Sequence, residues 1–516
     1  MVSKKLVKQI TLLSFPVLLS NVLQTLITVV DTIMVGQLGP LEIAAIGIGN
    51  TIRFLLFVTV MSVAGGAMSL IAQAKGGRDK RRMSFVTRQS LISGLFLSFM
   101  LGTIGYVFAE PLVRFMESGG NEKTILLAID YLEIVFISSP FLLINFIQNR
   151  LMQGAGDTMT PLKITFALFI LNICLNYVLI YGAGSVAPMG VEGAALGTMI
   201  ARAVMAVFGM WLFYSGRNII HILKGSWRPQ WVIIKDILNI GVPSGIQGFF
   251  RHVANVVVVK LVTATQLGTL GAATIAIGIQ VEQLLLQPVI GINVAGTSLI
   301  GQALGRWQTK DAFVKGNAMI VLGVFVMILF LIPVLVFPEW IISIFDPSAD
   351  AIIVNSTRSF FYITMSVLPL YAIALVATGM MRGAGDTKPA MISSILGRNI
   401  LTISLSWYLA FPMGMDFKGI WIGIAVGKLF DFVYMSIAWY RRQWYYVAIK
   451  RSEIYRVHLN LLSDKVMKDF LREVRGPQMA LSGTKEYVTD ADVTYRSGEE
   501  EVSYEFTGDG FGKMNH

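Results

Sequence analysis

An aspartate inside an apolar run is the residue of this chain whose setting points most directly to chemistry. Asp31 follows Leu26-Ile27-Thr28-Val29-Val30 and precedes Thr32-Ile33-Met34-Val35-Gly36. A carboxylate in hydrocarbon costs about 2.5–3.5 kcal/mol or more unless it is paired or hydrated. A chain that keeps one there uses it to hold a proton or a sodium ion, or neutralises it with a nearby cation. Arg53, which counts back from its loop to about the same depth, is the cation available for pairing. Asn21, Gln24 and Thr28 precede Asp31 at three- and four-residue spacing and share its helical face, so a wet stripe can run along the first span. Asn172 and Asn176 are one turn apart in a later apolar run. They can offer neutral amide oxygens to an ion or hydrogen bonds to neighbouring helices.

A second set of ionisable residues lies in the later spans. Glu282 and Lys260 fall at matching depth on consecutive spans and are expected to form an ion pair, as are Arg398 and Asp431. Arg251 and His252 sit at mid-span with no anion at their depth and are expected to face a cavity rather than lipid. His252 adds a group that can handle protons. Enzyme chemistry has no foothold: there is no catalytic pair of carboxylates, no His/Cys ligand cluster and no Gly-rich phosphate loop. The expectation is a protein that is not an enzyme and needs no cofactor, with a proton or sodium gradient as its energy source. The single Cys174 excludes an intramolecular disulfide.

Long helices in a bilayer must position these residues. Hydrophobic residues make up 54% of the chain and charged residues 14%, and the mean hydropathy is +0.66. Twelve apolar stretches between residues 10 and 440 are each long enough to cross ~30 Å of hydrocarbon. The net charge of +11 does not indicate nucleic acid, because Lys and Arg collect in alternate loops, such as Lys75 to Arg88 and Arg217 to Lys235. That alternation places both termini in the cytoplasm of a multi-pass protein of the cell membrane. The N-terminal apolar stretch is too long for a cleavable signal peptide.

The chain is also a duplication. Met152-Gln-Gly-Ala-Gly-Asp-Thr recurs as Met381-Arg-Gly-Ala-Gly-Asp-Thr, an offset of 229 residues. The same offset carries Gln37-Leu38-Gly39 onto Gln266-Leu267-Gly268, Gln73-Ala74 onto Gln302-Ala303, Glu110 onto Glu339 and Pro140 onto Pro369. Six spans per copy is an even number, so the copies are parallel repeats. The expected fold is an all-α polytopic membrane protein, with twelve transmembrane helices in two parallel-repeat six-helix bundles around a central cavity. Residues 1–230 form one lobe and 231–441 the other. Residues 442–516 form a cytoplasmic appendage, with an amphipathic basic segment (441–475) that sets Trp444, Tyr445 and Tyr446 near headgroups, then a polar tail. The repeated Gly-Ala-Gly-Asp-Thr reads as helix-capping turns, with glycine ending one helix and Asp or Thr starting the next.

Taken together, Val30–Gly36 with Leu38-Gly39, Ala72-Gln73-Ala74-Lys75-Gly76, the two repeated turns and Asn172–Gly182 resemble the multidrug and toxic compound extrusion (MATE) transporters over nearly all of residues 10–440. The resemblance implies alternating access and export of amphipathic, often cationic, small molecules against inward proton or sodium flow. It assigns ion coupling to Asp31, Asn172 and Asn176. Where the sodium-coupled bacterial branch carries a glutamate and an aspartate, this chain has Arg251 and Leu375, while Tyr371 is kept, so the second-lobe cation site is expected to be absent. Gln24, Arg53, Arg251, Glu282 and Tyr371 are the candidates for the cavity. The expected partners are the substrate and the bilayer, with no oligomer demanded. The alternative is a flippase for lipids or lipid-linked oligosaccharides, which Arg53, Arg202, Arg251 and Arg398 would serve by holding phosphates.

Overall fold

Apolar residues on every face leave the backbone only its own hydrogen bonds to make, and helices follow. The computed structural model describes residues 4–116, 121–184, 186–347 and 349–448, with 493–497, 500–504 and 514–515; for residues 53–60 and 269 and for those beyond 492 it describes the backbone alone. The first half comprises α1 (Lys4–Gly36), α2 (Pro40–Gly76), α3 (Lys80–Val107), a short α4 (Ala109–Met116), α5 (Glu122–Ile137), α6 (Ser139–Gly154), α7 (Met159–Tyr181) and α8 (Gly190–Ser215). The second half repeats the order. It has α9 (Trp231–Thr263), α10 (Gly268–Gly305), α11 (Thr309–Val336), a short α12 (Pro338–Phe345), α13 (Ala351–Phe360), α14 (Leu368–Ala384), α15 (Lys388–Ser393), α16 (Thr402–Ala410) and α17 (Asp416–Tyr440). π-helical turns at Phe361–Met365 and Ser394–Leu401 lead into α14 and join α15 to α16.

Joined end to end, α5 with α6, α13 with α14 and α15 with α16 each make one rod, so each half has six. Among the described residues seven helices cross-check as membrane spans by length and apolarity, and nine if each of two bent pairs is one span. The bends, 52° in the first half and 54° in the second, fall at matched places. Pro140 and Pro369 stand in the first turn after each break, where a missing N–H costs nothing and the fixed φ suits a new helix. Each half keeps its own apolar core. One gathers around Ile48, Leu132 and Val191, the other around Val281, Met319, Phe361 and Trp421, with Ile10 of α1 joining the latter.

The repeated turns perform the expected capping and add a second task. Gly156 and Gly385 take left-handed φ values of 87° and 83°, and the two turns close with the same hydrogen bonds, Asp157 N–H to Met152 O and Asp386 N–H to Met381 O (both 2.9 Å). Asp157 Oδ1 then accepts from Thr160 N–H at the start of α7. The second copy departs here, since Thr387 Oγ1 donates to the Ile240 carbonyl of α9 at 2.7 Å. The new task joins the halves. Ser69 and Gln73 of α2 donate to the Gly383 carbonyl at 3.3 and 3.1 Å, and Ser298 and Gln302 of α10 donate to the Gly154 carbonyl at 3.1 and 3.4 Å. All four donors and both acceptors correspond under the 229-residue offset. Between them α2 and α10 cross at Gly76 and Gly305, where an added Cβ would collide with the carbonyls of Gln302 and Gln73. The basic end of the bundle is therefore clasped shut.

After α17 only residues 441–448 of the expected amphipathic segment are described, and one of its rings is not set toward headgroups. Trp444 is buried, stacks on Trp439 at 4.5 Å and donates its indole N–H to the Trp439 carbonyl. Only Tyr446 is exposed as an interfacial ring would be. The remainder of the expected amphipathic segment, from residue 449, lies outside the described residues. The chain beyond Ala448 is a separate unit, in which Val493–Ser497, Glu500–Tyr504 and Met514–Asn515 pair as a small antiparallel sheet.

The clasp makes a prediction. Gly76→Ala with Gly305→Ala should open the basic end. Spin labels at Arg78→Cys and Arg306→Cys, in a Cys174→Ser background, should then report a longer and broader distance by pulsed electron resonance. An unchanged distance would show that the glycine crossing does not hold the halves together.

Candidate functional site

The first half builds its centre from α1, α7 and α8. Asn172 and Asn176 stand one turn apart on α7 and Tyr181 ends that helix, while Asp31 and Met34 lie near the end of α1 and Gln37 just after it. Asn176 donates its amide N–H to Asp31 Oδ1 at 2.6 Å, and the Tyr181 hydroxyl reaches the Met34 carbonyl at 2.6 Å and Gln37 Oε1 at 3.0 Å. Asn172 turns instead to α8, donating to Thr198 Oγ1 at 3.1 Å. Both asparagines are buried, and the Oδ1 atom of each has no hydrogen-bond partner. A short bond from an amide to a carboxylate is charge-assisted and about twice as strong as a neutral one. Gly197 of α8 makes the packing possible, since a Cβ there would run into Asn176 Oδ1. Its spacing of four from Gly193 was the only sequence signal of that close approach. Gln24 is exposed, two turns from Asp31, and is not brought to this centre. Arg53 lies on α2, with its side chain outside the described residues.

The second half holds two buried ion pairs, one of them not as expected. Glu282 of α10 pairs with Lys428 of α17 at 2.7 Å, and Lys260 is exposed. Depth along the helix axis suggested Lys260, but rotation about that axis turns it outward. Lys428 was legible as a second ionisable group one turn before Asp431 in the last apolar run. The other pair forms as read: Arg398 Nε lies 3.4 Å from Asp431 Oδ2, and the Ser393 hydroxyl donates to Asp431 Oδ1 at 2.5 Å. The Arg398 guanidinium also lies over the Tyr371 ring, 4.8 Å from its centre. Arg398 stands in the π-helical turn, which moves its side chain off a regular helical register. Arg251, Tyr371, Leu375, Arg398 and Asp431 line one cavity of about 30 Å³. That volume takes roughly one or two waters or a small ionic group. His252 is not among its lining residues.

The two halves share a scaffold and oppose each other in charge. Under the 229-residue offset Asp31 corresponds to Lys260, Arg53 to Glu282 and Arg202 to Asp431. The first half thus offers a carboxylate that accepts from the Asn176 amide, and the second a cluster richer in cations. Among the described residues no group of three or more His, Cys, Asp or Glu is placed to hold a metal ion.

The MatE family model matches residues 16–178 and 243–408, one stretch in each half. Over 430 residues the chain is 26% identical to the probable multidrug resistance protein NorM of Thermotoga maritima, covering 82% of this chain and 90% of that protein. It is 24% identical over 454 residues to the multidrug resistance protein MdtK of Yersinia enterocolitica, covering 84% and 95%. Among solved structures, a MOP superfamily transporter from Pyrococcus furiosus superposes with a TM-score of 0.78 at 24% identity, covering 84% of this chain and 95% of that one, which shows a shared fold.

Two pairs of substitutions test the geometry. Lys428→Met leaves Glu282 buried without its partner and should cost about 3–5 kcal/mol, whereas adding Glu282→Leu should recover most of the loss. Thermal unfolding of the detergent-solubilised protein reads both, and equal losses would mean that the pair is not coupled. Gly197→Ala should push the Asn176 amide off Asp31, and Asn176→Ala in that background should relieve the clash. A double-mutant coupling on the order of 1 kcal/mol is expected, and strict additivity would disprove the contact.

Proposed function

The chain belongs to the multidrug and toxic compound extrusion (MatE) family of membrane transporters, and from that premise we propose that it is a secondary antiporter exporting amphipathic, often cationic, compounds across the plasma membrane in exchange for protons or sodium. The single observation that carries this reading is the 2.6 Å bond from Asn176 to Asp31, which fixes an intramembrane carboxylate between two helices. In this reading a proton or sodium ion neutralises Asp31 and weakens its charge-assisted bond to Asn176. The contact between α1 and α7 then loosens, and the substrate is released to the outside, the side from which the ion entered. An ion shifts the inward–outward balance only by its difference in affinity for the two states, so the bond must differ between them. Pro16 interrupts the hydrogen-bond ladder of α1 and gives that helix a place to bend.

Both termini lie in the cytoplasm in this reading, which makes the basic, clasped end the cytoplasmic one and the described state closed to the cytoplasm. The Asn172 Oδ1, buried and without a partner, is a neutral oxygen one turn from Asn176 that a sodium ion can recruit. The second half, where Arg251 and Leu375 stand beside Tyr371, has no spare carboxylate for a coupling cation.

Efflux of ethidium from proteoliposomes, under an imposed pH gradient and separately under a sodium gradient, tests the proposal. The wild-type protein should respond to one gradient, and Asp31→Asn should lose at least about tenfold of that rate. Gradient-driven efflux that survives in Asp31→Asn would move coupling away from the first half. Absence of efflux from folded wild-type protein would favour transport of a lipid instead.

A further inference from the structure

The cavity of the second half holds a cation that its own carboxylates do not satisfy. Arg251, Arg398 and Lys428 stand against Asp431 and Glu282, and each carboxylate is already taken, Asp431 by Arg398 and Ser393 and Glu282 by Lys428. Among the described residues Arg251 makes no ion pair and no hydrogen bond, yet its guanidinium opens onto the cavity. An unpaired charge at mid-membrane is costly, and a guanidinium presents paired N–H donors in the fork that a carboxylate fits. The opposite wall of the cavity is not rigid helix: the π-helical turn at Ser394–Leu401 carries Arg398 and leaves Asn399 Oδ1 buried without a partner. A wall of that kind can shift by a residue when a ligand enters.

We propose that this cavity is a subsite for a singly charged carboxylate, which binds the Arg251 guanidinium. Its size admits the acid group alone. Acid group and free small carboxylate share this chemistry. If the transport reading also holds, the substrates include amphipathic acids and zwitterions, with the cationic end directed to the first half; the binding itself does not depend on that reading.

The test is equilibrium binding to the full chain in nanodiscs, by calorimetry, with sodium benzoate, sodium acetate and the neutral isostere benzamide. Benzoate should bind saturably and benzamide should not. Arg251→Gln should weaken benzoate by about tenfold or more and Arg251→Lys by less. Leu375→Asp, which supplies a carboxylate to the same cavity, should abolish benzoate binding while thermal unfolding shows the variant folded. Acetate binding as tightly as benzoate would identify a free small anion as the occupant; a preference for benzoate would identify the acid group of an amphipathic ligand. Unchanged affinity in Arg251→Gln, or equal binding of benzamide, would overturn the proposal and leave the cavity to water. Because nothing is transported in this measurement, its failure is distinct from failure of ethidium efflux.

Discussion

An ionisable group inside this bundle has to be paired or hydrogen-bonded there, because the lipid around it offers no water to solvate it. That constraint explains where the polar residues of the spans have gone. Lys428 is buried against Glu282, Arg398 against Asp431, and Asp31 against the amide of Asn176. The contacts join different helices in each case: α10 to α17, the α15–α16 rod to α17, and α1 to α7. Side-chain charges therefore fix which helix faces which, while apolar packing fills the spaces between them. Among the described residues Arg251 forms no ion pair, and the cavity it lines is where we place a ligand.

Duplication gives the halves one architecture, and substitution has given them different chemistry. Matched prolines bend matched rods, and matched glycines end matched helices at nearly identical φ values. Charge does not follow. Asp31 and Lys260 occupy corresponding positions, as do Arg202 and Asp431. A scaffold fixed by glycine, proline and backbone hydrogen bonds tolerates such exchange, since those elements specify shape without specifying the charge they enclose.

The clasp at the basic end shows how a symmetric fold can hold an asymmetric state. Four side-chain donors and two glycine carbonyls join the halves, with two bare glycines letting α2 and α10 touch. Individually such bonds are worth about 0.5–1.5 kcal/mol. They add to the apolar packing that also joins the halves, where Ile10 of α1 enters the second core and Val17 and Met68 meet Val294.

The sequence alone determined the membrane class, the twelve rods, the 229-residue repeat, the left-handed glycine turns and the pairing of Arg398 with Asp431. Each of these is written either in composition or in position along the chain, and depth along a helix axis can be counted from the loops. Partner choice could not be counted in the same way. Lys428 rather than Lys260 meets Glu282, Trp444 turns inward instead of toward headgroups, and Gly197 makes room for Asn176. Sequence also left the second task of Gly154 and Gly383 hidden, because a carbonyl oxygen has no residue type to betray it. Only the tertiary structure decided these points, since rotation about each helix axis and the approach of neighbouring backbones arise from packing the whole bundle at once.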